Sequence, residues 1–238
     1  MLLNPTMQRL ALPETIPSGV EVWLLKLNLE MPLSSLDLAL LSEDERTRAL
    51  RFRRHEDRVR SVATRAALRR LLARRVMRRP EKLDFIVNQH GKPRLSEDLG
   101  IEFNVSHAGC FALIALSASG QIGVDIEWRD RQIDTESLGA YVFTPLERRS
   151  ALRMDRKAED FIERWVAKES VLKALGLGIS EHLQAVSILA GAGEGYEITH
   201  GHPEWTDIKA WPIEVPDGYA AALAMKSRAS SYPHEVFP

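Results

Sequence analysis

The chain has 238 residues with 32 basic and 33 acidic side chains, a formal net charge of −1, and 45% hydrophobic and 27% charged residues. That composition excludes collagen, a disordered tail and a disulfide scaffold, and it gives one large domain or two small ones room for a real core. The average hides an asymmetry: residues 46–79 carry fourteen arginines, no lysine and only Glu56 and Asp57 as acids, so a +12 segment is balanced by −13 elsewhere.

In chain order, residues 20–29 read as an early buried strand. Ser42 followed by Glu43, Asp44 and Glu45 marks a helix start over 42–54. A longer helix spans about 56–76, with Val59, Val62, Ala63, Ala66, Ala67, Leu71 and Leu72 on its apolar stripe and Pro80 as its stop. Residues 83–87 form a short strand, and Asn88 to Pro93 a loop. Segments 101–105 and 110–116 pair as strands around Ser106-His107-Ala108-Gly109. Ser117 to Gly120 divides the chain into a 1–119 half and a 120–238 half. A strand follows over 121–128, then helices near 135–140, 145–151 and 157–175, the last stopped by Gly176-Leu177-Gly178. Strands near 185–190, 195–199, 207–211 and 219–225 complete an α+β pattern.

The lone Cys110 forms no internal disulfide and reads as a small buried hydrophobe. The first residues lack a basic region leading into a sustained apolar stretch, and no run of about 18 apolar residues occurs. The expectation is a cytoplasmic protein with no membrane partner.

Three constellations carry chemistry. Asp125 and Glu127, two apart on a strand, direct both carboxylates to one face, where they suit a hard cation such as Mg²⁺ or Mn²⁺ or form a solvated edge. Glu169 and Lys173 are i,i+4 neighbours on a helix, with Trp165 one turn earlier; the plain alternative is an exposed ion pair. Ser106 and His107, adjacent on an extended segment, face opposite ways, which disfavours a Ser–His dyad and leaves His107 a phosphate donor or a satisfied loop histidine. Lys92 on the Gly91-Lys92-Pro93 turn suits a phosphate as well as an ordinary loop. The arginine block could bind a nucleic-acid backbone or cover a core, but no interleaved aromatics mark a base-stacking platform.

The order of these motifs is more specific than any one of them. Gly91-Lys92-Pro93, Phe103-Asn104-Val105-Ser106-His107, Gly123-Val124-Asp125-Ile126-Glu127 and Trp165 to Ala174 together resemble the 4′-phosphopantetheinyl transferases, in their longer, Sfp-type form. The resemblance spans about residues 42–178. It implies two similar α/β subdomains related by a pseudo-two-fold, with coenzyme A in the cleft between them. The reaction it implies moves the phosphopantetheine arm of coenzyme A onto a serine of an apo carrier protein and releases adenosine 3′,5′-bisphosphate. Carried over by motif, Asp125, Glu127 and Glu169 hold the metal, Glu169 acts as base, Lys173 serves the leaving phosphate, and Glu147 matches an acidic position near the metal. Lys92, Ser106 and His107 contact coenzyme A phosphates, Gly91 and Pro93 shape the adenine pocket, and Arg48 and Arg60, with Ser61 alongside, hold the 3′-phosphate. Glu45 departs from this pattern, standing where a basic residue is often found, with Arg46 next to it as its replacement. Acyl, polyketide and peptidyl carriers all fit as partners, from fatty-acid, polyketide or peptide synthesis. Their acidic surfaces would meet exposed arginines or the 143–152 helix, and nucleic acid is not expected. A monomer suffices, because two internal halves build the cleft. The rival readings are a nucleic-acid-binding module and a metal-dependent phosphoesterase that uses the same acids without a carrier.

Overall fold

The computed structural model describes residues 5–130, 135–152, 159–178 and 182–228. The elements run β1 (Thr6–Arg9), β2 (Val20–Lys26), α1 (Ser35–Leu40), α2 (Glu43–Leu50), α3 (His55–Val76), β3 (Phe85–Val87), β4 (Pro93–Leu95), β5 (Glu102–Ala108), β6 (Phe111–Ser117) and β7 (Gly120–Trp128). They continue as α4 (Thr135–Val142), α5 (Pro145–Leu152), α6 (Glu159–Leu175), β8 (Val186–Ala190), β9 (Tyr196–His200), β10 (Ile208–Pro212) and β11 (Tyr219–Ser227).

Two antiparallel sheets divide the chain between β6 and β7, one ordered β1-β2-β6-β5 and the other β10-β11-β7. Alternation along the strands builds the layers. Val22 and Leu24, Leu113 and Ala115, Val124 and Ile126, and Ala221 and Leu223 meet in one core between the sheets. The opposite face of β6, Ala112, Ile114 and Leu116, packs on the Ala67, Leu68, Leu71 and Leu72 stripe of α3. On the other sheet, Ala220, Ala222 and Ala224 of β11 pack on Val166, Ala167, Val171 and Ala174 of α6. The result is four layers, helix, sheet, sheet, helix, an α+β fold.

The differences from the expected elements have local causes. The second helix ends at Leu50, four residues early, although Ser42 and Glu45 form the full capping box at its start. The arginine helix ends before Pro80, at Met77 in the left-handed conformation, and Pro80 opens a short 3-10 turn instead. Residues 93–95 pair with β3 as a hairpin strand, because the turn Asn88–Gly91 closes through a Gly91 N–H to Asn88 carbonyl bond with Gly91 at φ 81°. Ser106 and His107 lie within β5, and only Gly109–Cys110 turn the chain into β6. β1 and α1, both short, carry too few residues for periodicity to reveal them. The expected helical residues 157 and 158 lie outside the described residues. Cys110, expected to be buried, is only half-buried at its turn.

Part of the arginine block finds counter-charge within the chain. Arg60 pairs with Asp57, Arg65 and Arg69 with Glu45, Arg70 with Asp37, Arg75 with Glu21, Arg78 with Glu97 and Arg79 with Glu81. Seven of the fourteen arginines are thus paired, five of them on α3. No helix among the described residues is long and apolar enough to cross a membrane.

Candidate active site

The edges of the two sheets, β5 and β7, meet through side chains. Asn104 and Ser106, two apart and so on one face of β5, accept from the backbone N–H groups of Val124 (2.9 Å) and Ile126 (3.4 Å). Two side chains replace rungs that no neighbouring strand supplies. The same pairing brings Ser106 against the acid of the next strand: its Oγ donates to Asp125 Oδ1 at 2.6 Å.

The face of β7 turned away from the inter-sheet core carries Gly123, Asp125 and Glu127. α6 lies directly over Gly123. A Cβ there would collide with the Ser170 carbonyl oxygen and the Ala174 nitrogen and fall 3.0 Å from the Lys173 carbonyl carbon. Glycine therefore sets how closely α6 approaches, and α6 delivers Glu169 and Lys173 to Asp125. Lys173 Nζ stands 2.5 Å from Asp125 Oδ1 and 3.4 Å from Glu169 Oε2. Asp125 is 2% exposed, and its Oδ2 is a buried acceptor with no hydrogen-bond partner.

The electrostatics follow from this crowding. Burial raises the Glu169 carboxyl to about 7, with Asp125 adding to the rise, Lys173 opposing it and Glu127 contributing further. Lys173 does not cancel the rise because it sits nearer Asp125 than Glu169. Burial works against the Lys173 charge, yet Asp125 and Glu169 override it and hold the ammonium above the usual lysine range. Among the described residues, no three carboxylate, imidazole or thiolate groups stand close enough together to form a ready-made metal cage. The Lys173 ammonium lies between Asp125 and Glu169. The donor set nevertheless fits a hard divalent cation: clustered carboxylates, one with an orphaned buried oxygen.

Two cavities share Pro93, and the first of them reaches this cluster at Lys173. One, about 210 Å³, is lined by Gly91, Lys92, Pro93, Asn104 and Lys173. The other, about 190 Å³, lies between α3 and β5 and is lined by Arg60, Ser61, Thr64, Arg65, Pro93 and His107. A larger cavity, about 400 Å³, opens between α1 and α3 among apolar residues and shares no lining residue with either. Its size does not make it the active site, since Asp37 is the one titratable group on its wall.

The motif residues separate into these places. His107 and Ser106 do point to opposite faces, the histidine into the cavity with Arg60, where burial and then the Arg60 charge lower its pKa. Arg60 Nε donates to the Gly109 carbonyl, and its Nη1 lies 2.5 Å from Asp57. Arg48 is exposed at the end of α2, near enough to Arg65 to repel its charge. Arg46 turns away and donates to the Leu38 carbonyl. Lys92 Nζ donates to the carbonyls of Ile122 and Lys173 at 3.0 and 2.6 Å, and burial lowers it to about 8. Two of its three N–H groups thus tie the hairpin turn to β7 and α6, leaving one for a ligand.

Glu147 does not join the acids. It is fully buried and takes Lys168 Nζ at 2.8 Å, with the N–H groups of Thr144 and Ile188 completing its oxygens. Lys168 also donates to the carbonyls of Leu183 and Val186. The pair braces α6 against α5 and β8, which accounts for an acid at position 147 without a metal. Sequence reasoning missed Asn104, Thr64, Arg65 and the spacing role of Gly123. The first sat inside a motif read for Ser106, and Arg65 continues the helix face of Arg60 and Ser61.

Comparison with known proteins bears directly on this arrangement. A 4′-phosphopantetheinyl transferase superfamily model matches residues 121–224, and a 4′-phosphopantetheinyl transferase N-terminal model matches residues 33–119. The chain is 35% identical over 212 residues to the 4′-phosphopantetheinyl transferase HetI of Nostoc sp., covering 86% of this chain and 87% of that protein. The chain belongs to the 4′-phosphopantetheinyl transferase superfamily. It is also 37% identical over 170 residues to a putative 4′-phosphopantetheinyl transferase, slr0495, of Synechocystis, covering 70% of this chain and 68% of that one. The transferase Sfp of Bacillus subtilis is 27% identical over 166 residues, 67% and 73% of the two chains. The superfamily model covers Asp125, Glu127, Glu169 and Lys173, and the N-terminal model covers the arginine helix and His107.

Proposed function

We propose that this chain transfers the 4′-phosphopantetheine arm of coenzyme A to a serine of an apo carrier protein and releases adenosine 3′,5′-bisphosphate. The observation that carries the proposal is the Asp125–Lys173–Glu169 cluster at the junction of two halves, with one cavity opening at Lys173 and a second, arginine-lined one adjoining it at Pro93. In this reading the cavity between α3 and β5 takes the nucleotide end, with Arg60, Ser61 and His107 on its wall and Arg48 at its edge. Gly91 and Pro93 shape the wall between the cavities, and the remaining Lys92 N–H and Ser106 face the pyrophosphate.

The carrier serine oxygen bonds to the phosphorus bearing the pantetheine, the bond from that phosphorus to the bridging oxygen breaks, and the bridging oxygen leaves on the nucleotide's 5′-phosphate. Glu169 takes the serine proton, a task suited to a carboxyl held near neutrality. Lys173 holds positive charge beside the departing phosphate, and Asp125 orients Lys173. A bound Mg²⁺ or Mn²⁺, held by Asp125, Glu127 and Glu169, would supply further charge neutralisation to the pyrophosphate. Phosphoryl chemistry asks mainly for positioning and neutralised charge, and these residues supply both. A monomer acting in the cytoplasm fits, as do acidic acyl, polyketide or peptidyl carriers meeting exposed Arg51, Arg53 and Arg54.

The test is mass spectrometry of an apo carrier after incubation with the protein, coenzyme A and Mg²⁺, with and without a chelator. A phosphopantetheine-sized mass increase that the chelator removes is expected. Free phosphopantetheine with an unmodified carrier would mean a phosphoesterase and overturn the proposal.

A further inference from the structure

Glu45 stands where the family pattern calls for a base. Its carboxylate closes the capping box on Ser42 and reaches across to α3. There it takes Arg69 at 2.7 Å and Arg65 at 3.5 Å. The two arginines are not equivalent. Arg69 is almost fully buried and spends its Nη1 on the carbonyls of Pro80 and Leu83, so its place is structural. Arg65 keeps a buried Nη1 with no acceptor, while its Nε faces Glu45.

Beside it, Thr64 is 5% exposed, and its Oγ1 is likewise buried without a partner. Both residues line the cavity of Arg60, Ser61, Pro93 and His107. A buried donor without an acceptor costs stability, and two of them on one cavity wall mark a place built for oxygen atoms that a ligand brings. Burial disfavours the Arg65 charge; Glu45 offsets this only in part, and Arg69 and Arg48 repel it. The missing acceptor is therefore an anion with several oxygens, the chemistry of a phosphate monoester.

We infer that Arg65 and Thr64 grip the 3′-phosphate of coenzyme A, Arg65 supplying from α3 the positive charge that Glu45 removes from α2, so that these residues set the preference for coenzyme A over 3′-dephospho-coenzyme A. This rests on the proposed placement of the nucleotide in that cavity. Glu45 then has a purpose: it fixes the direction of Arg65 instead of meeting the phosphate.

The experiment measures kcat/KM for coenzyme A and for 3′-dephospho-coenzyme A with one apo carrier, in the parent protein and in Arg65→Gln, Arg65→Lys, Thr64→Val and Arg60→Gln. The parent should prefer coenzyme A. Arg65→Gln should lower kcat/KM for coenzyme A by roughly 10- to 100-fold through KM, leaving the dephospho substrate within about twofold. Arg65→Lys should recover part of the loss. Thr64→Val, which removes an unpartnered hydroxyl, should fold at least as well as the parent and lose roughly threefold or more on coenzyme A alone. Equal losses on both substrates in Arg65→Gln and none in Thr64→Val would reduce Arg65 to a structural residue and overturn the inference. If Arg60→Gln erases the preference while the Arg65 and Thr64 variants keep it, the inference fails and the nucleotide placement stands. If no variant alters the preference, or the parent has none, the placement fails and takes the inference with it.

Discussion

Gly123→Ala adds one carbon where β7 passes beneath α6. That carbon meets the backbone of Ser170, Lys173 and Ala174, none of which can rotate aside as a side chain would. To restore ordinary carbon–oxygen separation the helix must retreat by roughly 1 Å. Overpacking of this kind costs about 1–3 kcal/mol. For a chain of this size each kcal/mol lowers Tm by roughly 2–4 °C, so a fall of about 2–12 °C is expected. Function should suffer more than stability, because the moving segment carries Lys173, 2.5 Å from Asp125, and Glu169. A displacement near 1 Å at reacting groups costs on the order of 10²-fold in rate. The assay pairs a thermal melt with single-turnover carrier modification at saturating coenzyme A, at a temperature where the variant is folded. A variant that melts with the parent and transfers at the parental rate would refute the claim that Gly123 sets the spacing of the site.

Three further outcomes follow from named contacts. Glu169 holds its proton up to about pH 7 in the fold, whereas an unfolded glutamate releases it near 4.5. The native state therefore binds the extra proton between those values, and stability falls as pH rises through that window, by about 3 kcal/mol in all. Glu169→Gln removes this loss, so with a chelator present the variant should gain on the parent between pH 5 and pH 8 in urea unfolding, while its turnover drops at least about 10²-fold; identical pH profiles would contradict the crowding of acids. Glu147→Gln leaves Lys168 buried without its counter-charge and should destabilise by about 3–5 kcal/mol, yet keep near-parental turnover at low temperature; a folded but inactive variant would return Glu147 to the chemistry. Lys92→Met removes two bonds to the carbonyls of Ile122 and Lys173 and should lower Tm and raise KM for coenzyme A together, as steady-state kinetics and a melt would show; a KM change without a Tm change would make Lys92 a ligand alone.

Much of this was legible in the sequence because it depends on period. Val59 through Leu72 mark the buried stripe of α3, and the spacing of Asp125 and Glu127 puts them on one face of β7. The Ser42 to Glu45 start and the i,i+4 placement of Glu169 and Lys173 also rest on local rules that the fold obeys. What stayed hidden depends on the third dimension. Nothing in the local pattern shows that Glu147 faces Lys168 rather than the other acids, or that Lys92 spends its charge on backbone carbonyls. The net excess of arginine could be counted, but its neutralisation by Glu21, Asp37, Glu45 and Glu97 required knowing which helix lies over which strand. Pro93 reads as the end of a loop, and residues 93–95 carry no strand signal until their partner strand is seen.

The Asn104 and Ser106 bonds to β7 have a consequence for solubility and inheritance. A sheet that ends in an unpaired strand invites another chain to continue it, and each half of this protein ends in such a strand, β5 on one side and β7 on the other. Expressed apart, each half would present a sticky border to its own copies; joined, they cap one another with two short polar side chains. Because the capping serine also holds Asp125, a substitution that loosened the joint to separate the halves would disarm the enzyme first.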